Sequence, residues 1–167
     1  PYTTLFRSVF NKIKPDFCIN TAAYTAVDKA ETETEKAEAI NVTGVRNLAE
    51  VCKEFKTQLI HVSTDFVFDG TKKTPYTEED IPNPKSVYGK TKLEGEKAIQ
   101  AVLEDYFIIR TSWVYSQFAN NFMKTMLRLA SEVDGANPAA FRRLAICIGA
   151  PERFTSGMSS GTPPLAR

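Results

Sequence analysis

Hydrophobic and polar positions fall into two alternating regimes along the chain. Phe17-Cys18-Ile19-Asn20, Leu59-Ile60-His61-Val62-Ser63-Thr64 and Tyr106-Phe107-Ile108-Ile109-Arg110 are short apolar runs of the length and composition of buried strands. Between them the spacing turns helical. A helix continuing from Ile40 aligns Val45, Leu48, Cys52 and Phe55 as one buried stripe. Over 87–103, Tyr88, Lys92, Gly95, Ile99 and Val102 recur on one helical face, with Gly95 expected to let the helix approach the sheet closely. A last amphipathic helix is expected over 121–130 through Phe122, Met123, Met126, Leu127 and Ala130. Strands alternating with helices predict an α/β fold with a parallel sheet.

The remaining stretches are polar. Residues 28–36 are charge-rich and read as solvated, as does Glu78-Glu79-Asp80. A loop over 69–86 carries Gly70, Pro75, Pro82 and Pro84, and loops of that length are usually functional or mobile. Beyond Glu132 the periodicity disappears while Gly, Pro, Ser and Arg accumulate, so 133–167 is expected to be irregular.

Composition narrows the class. With 167 residues, 43% hydrophobic and 25% charged, the chain suits one soluble globular domain. A formal charge of +1 with interspersed signs gives no footprint for nucleic acid or an anionic bilayer, and no apolar stretch has the length of a membrane span. Cytoplasmic residence is the default expectation. Cys18, Cys52 and Cys147 form no close pair in sequence and read as inert thiols. The lone His61, mid-strand, reads as a packed histidine, and no metal site is expected.

Candidate chemistry gathers at two places. Ser63-Thr64 stands at the carboxyl end of the second predicted strand, where open parallel sheets bind ligands. Tyr88 and Lys92 lie four apart at the start of a helix, so phenol and amine share a face. A phenol titrates near pH 10 in water, and a neighbouring ammonium is expected to lower that value and make Tyr88 a usable acid or base. Thr64 could hydrogen-bond the substrate oxygen that gains or loses the proton. The set suits carbonyl reduction. A Tyr-x-x-x-Lys pair alone is a weak signal, and its context of strand end, proline-bearing loop and amphipathic helix carries the weight.

Four segments, 20–28 (NTAAYTAVD), 63–70 (STDFVFDG), 88–96 (YGKTKLEGE) and 110–115 (RTSWVY), resemble dTDP-4-dehydrorhamnose reductases, which are extended short-chain dehydrogenases/reductases. The resemblance runs from about 14 to 132. It implies a partial Rossmann-type unit of three adjacent parallel strands with flanking helices. It implies catalytic roles for Tyr88, Lys92 and Thr64, and a nicotinamide cofactor, NADPH or NADH, lined by Ala23, Tyr24, Thr25, Ser63, Tyr88 and Lys92. A deoxysugar nucleotide would be held by Thr64, Asp65 and Trp113, with Trp113 as a platform for the sugar ring. The parent could pair as a homodimer.

The ends depart from the family pattern. No G-x-x-G-x-x-G is present, and the first glycine is Gly44. Residues 1–8 read as a non-native leader and are set aside from the fold reading, 9–132 as a partial dinucleotide-binding and catalytic domain, and 133–167 as a frameshifted tail or a divergent terminus. A fragment without reductase turnover is therefore expected. Two other functions stay open: a non-catalytic NADP-binding regulatory protein resembling the methionine adenosyltransferase regulatory subunit over 65–97, and another sugar-nucleotide epimerase or dehydratase.

Overall fold

The structure is a computed structural model that describes residues 2–118 and 121–132. In chain order its elements are α1 (Tyr2–Ile13), β1 (Phe17–Asn20), α2 (Val27–Ala30), α3 (Thr34–Glu38), a π-helical turn (Ala39–Gly44), α4 (Val45–Phe55), β2 (Gln58–Thr64), a 3-10 turn (Asp65–Val67), α5 (Val87–Val102), β3 (Tyr106–Thr111) and α6 (Phe122–Glu132). The three strands form one parallel sheet in the order β1-β2-β3, with Asn20 opposite His61 and Thr64 opposite Thr111. This is the α/β arrangement with three adjacent parallel strands that the sequence predicts. The irregular segment expected over 133–167, Cys147 included, lies outside the described residues.

The chain divides into two compact units, 1–112 and 113–167. In the first, the predicted stripe on α4 is real: Val45, Leu48 and Cys52 are buried together with Leu59 of β2, Ile99 of α5 and Phe10 of α1, and Phe55 packs against them. Leu59 and Ile99 are fully buried, and side chains of that size stabilise by about 2 kcal/mol each when removed from water. In the second unit α6 buries Met123.

Three expectations need correction. Residues 2–8, set aside from the fold reading, form the beginning of α1, where Phe6 packs on the core and Arg7 pairs with Glu54 at 2.7 Å. Their apolar positions recur at helical spacing and meet α4, which settles them as helix. Residues 28–36 are not simply solvated, because α2 and α3 bury Ala30 and Ala37 in a small cluster with Tyr24 and Tyr88. Among the described residues the sheet is covered on one side only. Leu59, His61 and Ser63 of β2 are buried, whereas Phe17 and Ile19 of β1 and Phe107 and Ile109 of β3 are 51–65% exposed.

Among the described residues no helix is long and apolar enough to cross a membrane, and no buried side-chain nitrogen or oxygen lacks a hydrogen-bond partner.

Candidate active site

The carboxyl end of β2 and the first turns of α5 are locked together by two local devices. Thr64 caps the 3-10 turn, its hydroxyl accepting from Phe66 N at 3.2 Å, and Ser86 caps α5 by accepting from Gly89 N at 3.1 Å. Gly89 then lets the helix start lie against the turn, since a Cβ there would stand 2.2 Å from the carbonyl oxygen of Phe66. The result sets Tyr88 beside Thr64, with the Phe66 ring edge-on to the phenol at 5.6 Å.

Burial pushes the Tyr88 phenol above its ordinary value; the neighbouring Thr64 side chain pulls it back, and the Asp65 carboxylate pushes it up again. This reverses the sequence expectation of a lowered Tyr88. The reason is where Lys92 points: its Nζ donates to the carbonyl oxygen of Val62 at 2.8 Å and lies 3.3 Å from His61 Nε2. Helical spacing puts Tyr88 and Lys92 on one face, but the lysine's length carries its amine down onto β2. Lys92 is only 2% exposed, and burial pulls it down to about 8 against an opposing pull from Glu96.

Beneath these residues is a polar layer that sequence reasoning missed. Glu96, 1% exposed, takes the hydroxyl of Ser63 and a two-pronged pair from Arg110, whose Nη2 is 2.7 Å from Oε2 and Nε 3.1 Å from Oε1. Arg110 also lies over the Phe68 ring at 5.1 Å. Ser63, expected at the cofactor, therefore has its hydroxyl committed inside the protein. The available signal was spacing: Tyr88, Lys92 and Glu96 are successively four apart, one turn each along α5.

Gly95 has a different neighbour from the one expected. A Cβ on it would stand 2.2 Å from the carbonyl oxygen of Asn41, so it admits the π-helical turn rather than the sheet. Asn41, 1% exposed, uses that proximity as a clamp: it accepts from Tyr24 N at 2.9 Å, donates to Tyr24 O at 3.2 Å and donates to Thr91 Oγ1 at 3.1 Å. The segment after β1 is thereby tied to α5 one residue from Lys92. Tyr24 is buried in the cluster that includes Tyr88, while Ala23 is half-buried and Thr21, Ala22 and Thr25 are exposed beside it. Small exposed residues after a strand leave the backbone open to a ligand.

Asp65 is exposed and accepts from the Thr64 hydroxyl at 3.1 Å. An open cleft of about 730 Å³ next to it runs along β3 from Tyr106 to Thr111 and is lined also by Phe68 and Tyr76. A second, of about 800 Å³, sits at the amino ends among Phe17, Thr57 and Leu103, the wrong end of a parallel sheet for its ligand. Trp113 belongs to the second unit. It is 60% exposed, takes a positive φ of 49° and packs on Phe122 with ring centres 4.7 Å apart.

The loop after the site is more ordered than its composition suggests. Asp69 accepts from Thr71 N, Thr71 Oγ1, Tyr76 OH and Asn83 Nδ2, which holds its carboxyl well below the usual carboxylate range. Asp80, expected to be merely solvated, pairs with Lys72 at 2.6 Å and caps Thr77. The thiols are neighbours in space: Cys18 of β1 packs against the core cluster that contains the fully buried Cys52 of α4, and the proximity of Cys52 pulls Cys18 down to about 7.

A family model described as the RmlD substrate binding domain matches residues 3–142. The chain is 52% identical over 126 residues to a dTDP-4-dehydrorhamnose reductase of Sinorhizobium fredii, a match that covers 75% of this chain and 43% of the relative. Among solved structures, a dTDP-4-dehydrorhamnose reductase from Bacillus anthracis in complex with NADP superposes with a TM-score of 0.76 at 40% identity, over 79% of this chain and 47% of that one. The reductase from Clostridium acetobutylicum gives a TM-score of 0.75 at 45% identity, over 80% and 48%. The chain thus spans less than half the length of each of these relatives.

Proposed function

Because this chain belongs to the RmlD substrate binding domain family, we propose that it carries the proton-donating part of a reductase acting on the 4-keto group of a deoxysugar nucleotide, as in dTDP-rhamnose formation. The observation that carries the reading is the buried Tyr88 phenol in the first turn of α5, held edge-on to Phe66 of the turn that Thr64 caps at the carboxyl end of β2. A phenol raised above its ordinary value keeps its proton at neutral pH and can give it to an oxygen on which negative charge develops. Thr64 would orient that oxygen by turning its hydroxyl, which here donates to Asp65 Oδ1, toward it. Proton transfer leaves a phenolate on Tyr88, and Lys92, whose amine is held on β2, is proposed to favour it only through its more distant charge when ionised.

The residues present fit a nicotinamide dinucleotide, NADPH or NADH. Ala22, Ala23 and Thr25 expose small side chains after β1, and Tyr24 is fixed there by Asn41. Ala23, Tyr24, Thr25, Tyr88 and Lys92 would hold the group, which supplies hydride when bound. Ser63 contributes indirectly, because its hydroxyl is committed to Glu96. Asp65 is a proposed sugar-nucleotide contact of the first unit; Trp113, in the second, is proposed separately as a platform for a sugar ring. The 52% identity to a protein carrying the reductase name favours this reading over a regulatory one. A cytoplasmic location goes with it.

A chimera tests the proposal independently of how much of the whole protein this chain represents. Residues 9–132 are exchanged for the matching segment of the Sinorhizobium fredii reductase, and oxidation of NADPH by a 4-keto-deoxysugar nucleotide is followed. The expected outcome is retained turnover. A folded chimera that binds cofactor but turns over no keto sugar, with the parent active in the same assay, refutes the reading.

A further inference from the structure

The hydrogen bonds running from β1 to Lys92 have a direction. Ala22 N is a backbone amide and can only donate; it lies 3.1 Å from Asn20 Oδ1. That fixes the Asn20 side chain with Nδ2 toward His61 Nδ1, at 3.0 Å. An amide nitrogen donates, so Nδ1 accepts, and a neutral imidazole then carries its proton on Nε2. His61 is fully buried, and burial followed by the charge of Lys92 lowers it to about 4, so the ring is neutral at ordinary pH. Its Nε2–H faces Lys92 Nζ at 3.3 Å.

An uncharged amine satisfies this arrangement completely, accepting from Nε2–H and donating to Val62 O. An ammonium does not, because it has no lone pair and would set N–H against N–H. A charged Lys92 requires the other tautomer of His61, with Nδ1–H, and Nδ1–H requires Asn20 to present Oδ1 to the ring. Turning the amide takes Oδ1 away from Ala22 N–H.

We propose that Asn20 and His61 are positioning residues for Lys92, and that the charge on Lys92, the tautomer of His61 and the orientation of the Asn20 amide change together as one unit. The consequence is a coupling between the amine on α5 and the backbone at Ala22, on the segment where a cofactor is proposed to lie. Asn41 braces the same segment from the other side, since it holds Tyr24 and Thr91.

The electrostatic surroundings leave the coupling to these residues. From β2 the titratable group facing Lys92 is His61, and from α5 itself they are Tyr88, on the same face one turn before it, and Glu96, whose charge is taken up by Arg110 of β3. Asp28 and Lys29 of α2, Glu35, Lys36 and Glu38 of α3, Arg46, Glu50, Lys53 and Glu54 of α4, and Asp65 of the 3-10 turn are all exposed. The π-helical turn and β1 present Asn41 and Asn20, which do not titrate.

The coupling rests on the reading of Lys92 as a partner of the proton donor, but its test needs no turnover, so the two can fail separately. His61 is the single histidine of the chain, so one imidazole reports without ambiguity. Long-range proton–nitrogen spectra of the chain labelled with nitrogen-15 would follow its tautomer from about pH 6 to about pH 10, alongside the Lys92 Cε carbon shift. The expected result is Nδ1–H at the acidic end and Nε2–H at the basic end, with a midpoint near that of Lys92, about 8. Asn20→Asp offers acceptors to both Ala22 N–H and the ring, and should hold His61 as Nδ1–H throughout while moving the Lys92 midpoint upward. A wild-type tautomer that stays constant while Lys92 titrates in the folded chain overturns the proposal, and this holds even if Asn20→Asp does not fold. An Asn20→Asp chain that folds and keeps the wild-type tautomer profile overturns it as well.

Discussion

Lys92 donates its hydrogen bond to the main-chain carbonyl of Val62 at 2.8 Å. The amine is therefore anchored to β2, and the Tyr88 phenol is governed by burial and by Thr64 instead. In the Sinorhizobium fredii chimera, Tyr88→Phe should leave folding intact and lower turnover by roughly a hundredfold to ten-thousandfold, the usual worth of a positioned general acid. Thr64→Val should also lower turnover, with cofactor affinity little changed. Steady-state kinetics with a melting curve for each variant checks both, and a Tyr88→Phe chimera with normal turnover would end the mechanistic reading.

Lys92 also gives the chain a pH-dependent stability with a definite sign. Its folded value is lowered from 10.5 to about 8, so between those values the unfolded chain binds more protons than the folded one. Stability from this group accordingly rises with pH across that window, and the penalty for burying the charge is fully present below about 8. The size is about 3 kcal/mol, from roughly 1.4 kcal/mol per pH unit. Urea melts at several pH values should show the wild type gaining on Lys92→Met as pH rises from about 8 to about 10. A difference between the two that is flat over that range would contradict the burial of the amine.

The close approach at Gly95 predicts a large effect from one methyl group. Gly95→Ala gains helix propensity, yet its Cβ would meet the Asn41 carbonyl, a backbone atom that cannot swing aside. Overpacking of this kind costs about 1–3 kcal/mol. Chemical denaturation should therefore find Gly95→Ala less stable than wild type. A stabilised variant would mean that the π-helical turn can move away.

Asp69 predicts where the loop over 69–83 loses order in acid. Its carboxylate gathers four donors, and its folded value lies well below the normal range. The contribution is complete above about pH 4 and is lost as pH falls further toward the folded value. Hydrogen exchange or limited proteolysis should find the loop protected at neutral pH and opened by Asp69→Ala. Equal protection in the variant would show that Lys72–Asp80 and the Phe68–Tyr76 stack suffice by themselves.

The strands, the α4 stripe and the reactive face of α5 are legible in sequence because each depends on local spacing. Tyr88, Thr64 and Lys92 stand out for the same reason. The amine's actual partners do not, because Val62 and His61 are 30 and 31 residues away and enter only once β2 and α5 are packed. Glu96 is hidden in a charged run, although a carboxylate four residues after Lys92 must share its face. Asn41 cannot be read at all, since its role depends on a local change of helical geometry. The start of α1 is obscured by its likeness to a non-native leader, although its apolar residues keep helical spacing.

That change of geometry, the π-helical turn over Ala39–Gly44, also sets the phase of α4. A π turn winds more residues into one revolution than an α turn does, so it acts as a built-in slip between the segments on either side. Deleting a single residue there would not interrupt the helix. It would rotate one side by roughly 100° relative to the other, one residue's step around an α-helix. Either Asn41 would leave Tyr24 and Thr91, or Val45, Leu48 and Cys52 would leave the core. The chain at this point tolerates changes of identity far better than changes of length, and variants by insertion or deletion within these six residues should be the most damaging of their kind in the first unit.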